Sequence, residues 1–416
     1  MAGSTIDHLV SVMILLGAIL IFIGLFNQII QTAIIYQHHR YLATKCSDLL
    51  DNMLLNPGYP LHWATNDSVP TGFGLQEFGL QDPEFTQYRL SPFSLMRLRS
   101  SAGEPIYYYK TGLYYSNITM GFGNFLLVPY TKAINYSLTT KLLGIDGSHG
   151  FQLTITPIIT VSITEVQLKN PLTLSVDVTG IGSPLTNAAV SYCLLTVSAK
   201  GGGGTYPSYT IETGTALTDQ KGSILLNFTD VNGEDDSYVL IAYAHLSGLV
   251  GMGYHEHVTS DKQYIIPFID DFEERRVLIS HSYDTHYFGP PESELKYNAT
   301  FVLLAEDFTL REMPIENSTG SVGHVNYGEG QPYGVLQIPT PNPGILVITY
   351  KRSATKHGVV LMPWGISAMA FPVTFGDDPS GKEWVTTDLR QVIVNKIAYQ
   401  AKLALWSLEG YQVIGQ

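Results

Sequence analysis

The N-terminal part of the chain shows an apolar run that passes into an amphipathic pattern. Residues 9–26 read LVSVMILLGAILIFIGLF, eighteen positions with no charge and one polar side chain, Ser11. As a helix this run is about 27 Å long, close to the thickness of a bilayer's hydrocarbon core. From Ile30 onward, apolar residues recur at every third or fourth position. The pattern predicts one helix over residues 4–55, ended by the Asn-Pro-Gly sequence at 56–58.

The apolar run does not have the features of a cleaved secretory signal. It is followed by Asn27 and Gln28 instead of a small-residue cleavage site. A helix buried inside a globular core is also a poor match, because eighteen uncharged residues would have to be covered on every side. We therefore assign residues 1–56 to a retained hydrophobic and amphipathic helix that lies in a membrane or in the axis of a filament.

Beyond the helix, apolar residues alternate with polar ones, which is the period of half-buried strands. The alternation is clearest in residues 167–267, where about seven strands separated by Gly-rich turns predict a two-sheet, immunoglobulin-like sandwich. Residues 57–166 and 268–416 are expected to be the two β-rich parts of a head, and residues 151–163 alternate as one strand. The predicted fold class is therefore mainly β, with a long N-terminal helix followed by β-sandwich domains.

Two points of organisation stay open at this stage. Residues 57–166 and 268–416 either form one body around the sandwich or fold separately. Residues 389–408 fit both a helical and a strand period, and a tight turn at Asn395 and Lys396 favours a β-hairpin.

Composition narrows the classes of function. Charged residues make up 14% of the chain and the net charge is −13, which argues against nucleic acid as a partner. The two cysteines, Cys46 and Cys193, fall on apolar stripes and are expected to be buried thiols, not a disulfide.

Signals for the side of the membrane conflict with one another. Arg40 and Lys45 follow the apolar run and nothing basic precedes it, which by the positive-inside rule places the head in the cytoplasm. Long domains translocate largely regardless of charge, and six Asn-x-Ser/Thr sequons lie beyond the helix, where a glycan would be extracellular. These candidate glycosylation sites are Asn66, Asn117, Asn135, Asn227, Asn298 and Asn317.

Candidate catalytic chemistry is sparse, and we predict no catalytic, cofactor-binding or metal site and no enzymatic activity. His255 and His257 lie on one face of a predicted strand, and His281 and His286 follow. Four histidines can in principle hold Zn²⁺, but their spacing matches no zinc motif. We interpret them as surface side chains; a membrane-tethered, metal-binding hydrolase is the alternative.

Two segments resemble known families. Residues 182–190 (GSPLTNAAV), 218–222 (TDQKG) and 236–240 (DSYVL) resemble immunoglobulin-like domains of bacterial and archaeal surface proteins, which serve as spacers, stalks and adhesive modules. Residues 54–63 (LLNPGYPLHW) and the helix before them resemble archaeal type IV pilin-like surface proteins, whose leader is a class III signal.

The pilin-like resemblance implies specific partners. Such a protein would be processed by a prepilin peptidase and would pack through its N-terminal helix against copies of itself or other pilin-like subunits. In pilins, an acid at mature position five pairs with a neighbouring subunit's N-terminal amine. Asp7 is the fifth residue after cleavage at Ala2 and the fourth after cleavage at Gly3. A first-turn acid that complements the helix dipole is the simpler role for this residue.

Taken together, these observations predict a single-pass protein of the cell membrane with an extracellular head. Its expected role is structural or adhesive, as a pilin-like filament subunit or minor pilin. The main alternative is a monomeric surface adhesin whose helix stays in the bilayer.

Overall fold

The computed structural model describes residues 2–66, 74–85, 87–98, 103–108, 111–120, 124–197, 206–260, 263–282, 295–315, 321–325, 333–351 and 357–408. Helix α1 (Ala2–Leu55) runs without interruption through 54 residues. It ends as predicted, because the Asn56 side chain accepts a hydrogen bond from the Gly58 N–H at 2.8 Å and Gly58 takes a φ of 79°. Two short helices follow, α2 (Pro92–Met96) and α3 (Tyr136–Leu142).

The rest of the described chain is mainly strand. Before the sandwich it holds β1 (Arg89–Leu90), β2 (Gly103–Tyr108), β3 (Leu113–Met120), β4 (Asn124–Pro129) and β5 (His149–Pro157). The sandwich contains β6 (Ile159–Gln167), β7 (Leu172–Gly180), β8 (Ser183–Pro184), β9 (Ala189–Val197), β10 (Tyr209–Leu217), β11 (Ser223–Phe228), β12 (Ser237–Leu246) and β13 (Leu249–His257). After it come β14 (Ile265–Asp271), β15 (Arg276–His281), β16 (Leu295–Leu304), β17 (Leu310–Pro314), β18 (Val322–Val325), β19 (Tyr333–Gln337), β20 (Gly344–Lys351), β21 (His357–Trp364), β22 (Val373–Gly376), β23 (Thr386–Val394) and β24 (Ile397–Ser407).

Two sheets of the head mix strands from both sides of the sandwich. One has the order β1-β23-β24-β5-β22, so β5 lies between strands from the C-terminal part. The other has the order β19-β15-β14-β4-β3-β2. The chain before the sandwich and the chain after it therefore build one body, and the sandwich is an insertion between β5 and β14. A third head sheet, β17-β16-β20-β21 with β18 also on β16, comes wholly from the C-terminal part.

The inserted module is an immunoglobulin-like sandwich of residues 159–257. Its eight strands are hydrogen-bonded in the order β10-β9-β12-β13-β6-β7-β11, with β8 also on β7, and β13 meets β6 in parallel at Met252 and Thr160. The sheet folds over at this parallel contact, because side chains of β7 and β11 share one core with side chains of β9 and β12. We call β6, β7, β8 and β11 one layer of the sandwich, and β9, β10, β12 and β13 the other.

The module's limits differ from the predicted 167–267. The single strand predicted over residues 151–163 is in fact two, β5 and β6, interrupted at Ile158, whose N–H donates to the Ala398 carbonyl at 2.9 Å. Strand β5 belongs to the head and β6 to the module, and β14 returns to the head. Alternation persists across the break because both strands are half-buried, so the period gives no sign of a boundary.

The hydrophobic core is continuous from the helix through the head to the outer face of the module. Strand β12 shows this best. Val239, Ile241 and Tyr243 lie in the shared core, and Leu240 and Ala242 lie inside the module. The module therefore presents one sheet to the head and not to water.

Two further local predictions agree with the structure, the C-terminal hairpin and the buried thiols. The segment 386–407 is the hairpin β23–β24, with Asn395 at φ 56° in its turn. Cys46 and Cys193 are buried free thiols. Burial raises the pKa of Cys46 to about 11 and that of Cys193 to about 12, so neither is a thiolate at neutral pH.

Candidate functional site

The candidate site is helix α1, which divides into two segments of different surroundings. We call residues 6–41 the free segment, because none of them is buried and nearly all of their large apolar side chains are exposed. We call residues 42–54 the docked segment, because it lies on the head. The helix is the one candidate for a membrane span in the described residues, by length and composition.

The first half of the free segment is apolar, and its side chains are exposed. Within residues 9–26, fourteen large hydrophobic side chains are exposed, with Leu20 at 69% and Phe22 at 68%. Complete burial of one such side chain is worth about 1.5–3 kcal/mol relative to exposure. A surface of this kind does not persist in water, so it needs lipid or another protein around it.

The docked segment lies on the β23–β24 hairpin. Its buried positions recur at every third or fourth residue. The apolar pattern of the sequence therefore predicts which side of the helix contacts the head. The carbonyls of Thr386 and Leu403 approach the Cys46 sulfur at 3.8 and 3.6 Å, which places this thiol against both strands. The buried side chains are Leu42, Cys46, Leu49, Leu50, Met53 and Leu54.

A polar cluster beside this apolar contact joins helix to hairpin, and we call it the clasp: Ser47, Asp51, Tyr88, Asp388 and Arg390. The Arg390 Nε lies 2.8 Å from Asp51 Oδ1, and its Nη2 lies 2.8 Å from Ser47 Oγ. Its Nη1 lies 2.9 Å from Asp388 Oδ2, and the Tyr88 hydroxyl donates to Asp51 at 3.0 Å. The bonds to Asp51 raise the pKa of the Arg390 guanidinium further above its ordinary value, so the cation is fixed.

Aromatic rings mark the point where the helix leaves the head. His38 and His39 lie beside Trp384, with ring centroids 6.4 and 4.8 Å away. Trp384 is half-buried, whereas Trp63, Trp364 and Trp406 are buried. Lys45, nearly two turns further along the helix, has its Nζ 3.3 Å from His149 Nδ1.

Asp7 is exposed on the free segment, and Ser11 Oγ donates to its main-chain carbonyl at 2.8 Å. Because the helix begins at Ala2, Asp7 lies beyond the first turn and does not take the first-turn role. Its pairing with a neighbouring subunit stays a prediction.

The sequons differ in accessibility. Asn135 and Asn227 are exposed, although the Asn135 side chain caps α3 and Asn227 Oδ1 accepts a bond from Thr173 at 2.8 Å. Asn298 is half-buried and its Nδ2 donates to the Pro207 carbonyl, so it is less open to a glycan than Asn135 and Asn227. Asn66 is half-buried, Asn117 lies on β3, and Asn317 lies outside the described residues.

Of the four histidines considered from the sequence, the structure describes three, His255, His257 and His281, and it does not bring these three together as metal ligands. His255 and His257 both approach Glu165 Oε2, at 3.8 and 3.3 Å, and the Tyr238 hydroxyl donates to the same oxygen at 2.6 Å. His281 is buried on β15, contrary to the expected surface position, and His286 lies outside the described residues. Across the ranges that the structure covers, no three potential ligands are placed to hold a metal ion.

Glu165 was the residue that the sequence could not connect to these histidines. It lies on β6 and they lie on β13, about ninety residues later, and the backbones of the two strands pair at one position, Met252 with Thr160. Burial lowers the pKa of His255, although the Glu165 carboxylate acts in the opposite direction.

Comparisons with known proteins do not identify the chain. No protein-family model and no curated protein matches it. A red sea bream transglutaminase structure is 8% identical over 60% of this chain and 37% of its own length, with a TM-score of 0.18. A tetra-tandem repeat from the extending region of a large adhesion protein is 13% identical, over 51% of this chain and 50% of its own, with a TM-score of 0.18.

A third structure, the bacterial integrin-binding protein invasin, is 13% identical over 59% of this chain and 54% of its own, with a TM-score of 0.15. The chain thus spans about a third to a half of these structures, and none of the three is a pilin. The fold class is assigned from the strand topology described above.

The clasp leads to a prediction about stability. Arg390→Met keeps the length of the side chain but leaves Asp51 without its cation, so we expect the full chain in detergent to lose about 1–2 kcal/mol in its free energy of unfolding. Urea titration followed by circular dichroism measures this. The control is Arg311→Met, which breaks an exposed pair with Asp307 and should cost little. Equal effects of the two substitutions would contradict a role for the clasp.

The His255 environment predicts a pH dependence. Its folded pKa lies below the unfolded value, so between these two values the unfolded chain binds the proton and the folded chain does not. Stability therefore falls as the pH drops below about 6.5. In His255→Gln the slope should be shallower by up to about 1 kcal/mol per pH unit. Urea midpoints from pH 8 to 5 measure it, with exposed His62→Asn as control; an unchanged slope would contradict the assignment.

Proposed function

We propose that the chain is a membrane-anchored surface protein whose free segment crosses the bilayer and whose β-rich head lies on the extracellular side. The observation that carries the proposal is the sharp division of one unbroken helix. Residues 9–26 are apolar on all sides and exposed, and the docked segment is a structural element of the head. A bilayer can cover residues 9–26 completely, because this run is about as long as the hydrocarbon core is thick.

The docked segment supports an anchor over a simple export signal. A signal sequence is removed and leaves the mature fold unchanged. Here the helix that contains the apolar run continues into the head core at Leu42 and is held there by Asp51 and Arg390. A retained helix therefore gives the head a rigid connection to the membrane. The exposed sequons at Asn135 and Asn227 support an extracellular head.

A finer proposal is that the protein is a pilin-like subunit or minor pilin. The part of the free segment nearest the head carries a second stripe, Ile30, Ile34 and Tyr41, with exposures of 40%, 38% and 59%. Spacings of four and seven residues put the three on one side of the helix, about 140° from the docked stripe. These residues follow the apolar run, so lipid covers them incompletely, and the helix of another subunit is the partner we propose.

The anchoring proposal has a direct test in cells that express the full chain. We expect the protein to stay in the membrane pellet after carbonate washing, and protease added to intact cells to digest the head. Replacing Leu15 and Leu20 together by Arg should release it from the pellet, since each charge at the centre of a span costs about 2.5–3.5 kcal/mol. Thr32→Arg, outside the apolar run, should not. A wild-type protein extracted by carbonate would refute the anchor.

The filament proposal is tested separately, by shearing cells and sequencing the released protein. A pilin-like subunit should appear in sheared fibres and begin near Gly3 or Ser4, as expected after a prepilin peptidase. Ile30→Gln with Ile34→Gln should abolish the fibres without loss of membrane insertion, because both positions lie outside the apolar run. Gln28→Asn with Thr32→Ser, on another side of the helix, is the matched control. An unprocessed protein that stays with membranes after shearing would instead support a monomeric adhesin.

A further inference from the structure

The module leaves one long strand edge open. Strand β10 pairs with β9 at all nine positions, from Tyr209 opposite Val197 to Leu217 opposite Ala189, without a register shift. On its other side β10 has no partner strand among the described residues. Within that part of the chain its outward backbone N–H and C=O groups thus have no strand to bond, which is the arrangement that favours pairing with another strand.

The other sheet edges in the described ranges are less suited to pairing. Strands β1, β19 and β22 have two, five and four residues, and β2 has a register shift. Strand β17 ends in Pro314, β11 has six residues, and all eight residues of β21 are buried. Strand β10 is thus the longest regular exposed edge that the structure describes.

The residues of β10 lack most of the features that protect edge strands. Natural edges are guarded by charged side chains, especially lysine, by proline or by a bulge, and of these β10 has a single charge. Strand β10 reads YTIETGTAL, with Glu212 as its one charge. Thr210, Thr213 and Thr215 are exposed, and Leu217 is 63% exposed. Threonine suits strands and forms favourable cross-strand pairs.

We propose that β10 pairs antiparallel with β10 of a second copy of this chain, with the twofold axis at Thr213. An isologous contact of this kind makes one patch serve both subunits and closes as a dimer. Pairing about Thr213 places Glu212 opposite Gly214 of the partner subunit, so no carboxylates face each other. Pairing about Glu212 would put two carboxylates directly opposite, which is unfavourable.

This contact joins the two sheets that contain β10 into one continuous sheet across the dimer. Its inner side chains are already positioned, because Tyr209 and Ile211 pack against the core and the Tyr209 hydroxyl donates to Glu312 at 2.7 Å. The edge is therefore held straight before a partner arrives, and pairing requires little ordering of the strand. The dimer does not depend on whether α1 spans a membrane.

Cysteine cross-linking of the full chain in detergent micelles tests the register. Thr213→Cys is made together with Cys193→Ala, because Cys193 lies directly opposite Thr213 on β9 and would otherwise capture the new thiol. Under mild oxidation we expect a disulfide-linked dimer at least about tenfold faster than in the control, because pairing gives the two thiols a high effective concentration. The control is Leu225→Cys in the same background, a 63% exposed position on the edge strand β11.

A second variant keeps the test independent of the helix. Thr213→Lys puts two ammonium groups opposite each other at the axis. The non-covalent dimer should therefore disappear from sedimentation profiles of this variant, whereas Thr213→Ser should retain it. The secondary structure, followed by circular dichroism, should be the same in both. Cross-linking at Thr213→Cys no faster than at Leu225→Cys, or a dimer unaffected by Thr213→Lys, would overturn the proposal. Association through α1 survives Thr213→Lys and so gives a different outcome.

Discussion

The contact between the docked segment of α1 and the β23–β24 hairpin is the constraint on which the rest of the molecule depends. Six buried side chains of the helix fill one face of the hairpin, and Arg390 fixes the register of the two elements through Asp51 and Ser47. Apolar contact supplies most of the stabilisation, since it removes a large area from water. The directional bonds of the clasp select one position along the helix axis. Helix and head are for this reason a single mechanical unit.

The same core explains why the inserted module has a fixed place. Its sheet of β9, β12 and β13 is covered on both faces, by its own sandwich on one side and by the head on the other. The Tyr243 hydroxyl donates to the Ala368 carbonyl at 2.7 Å across this boundary, and the Ser237 hydroxyl donates to the His357 carbonyl at 3.0 Å. A module that is a spacer on a flexible linker would lack such contacts. The β6–β7–β11 sheet remains open to solvent on its outer face.

Much of this architecture follows from local patterns. The length of α1, its end at Asn56 and its docked stripe come from the helical period and a proline signal. The hairpin at 386–407 was resolved by its turn residues, because period alone fits helix and strand there. The break at Ile158 could not be predicted, since nothing local interrupts the alternation. The cluster of Glu165 with His255 and His257 depends on a contact between distant strands, which no spacing in the sequence reports.

The double burial of β12 has a consequence for how such a protein can change over evolution. Domains that are exchanged between genes carry a surface that tolerates water wherever they are placed. This module instead exposes Val239, Ile241 and Tyr243 if it is cut away from the head. A recombination event that moved it alone would produce a domain with an exposed apolar surface, which favours aggregation. The head and its inserted module are therefore expected to be inherited together, as a single evolutionary unit.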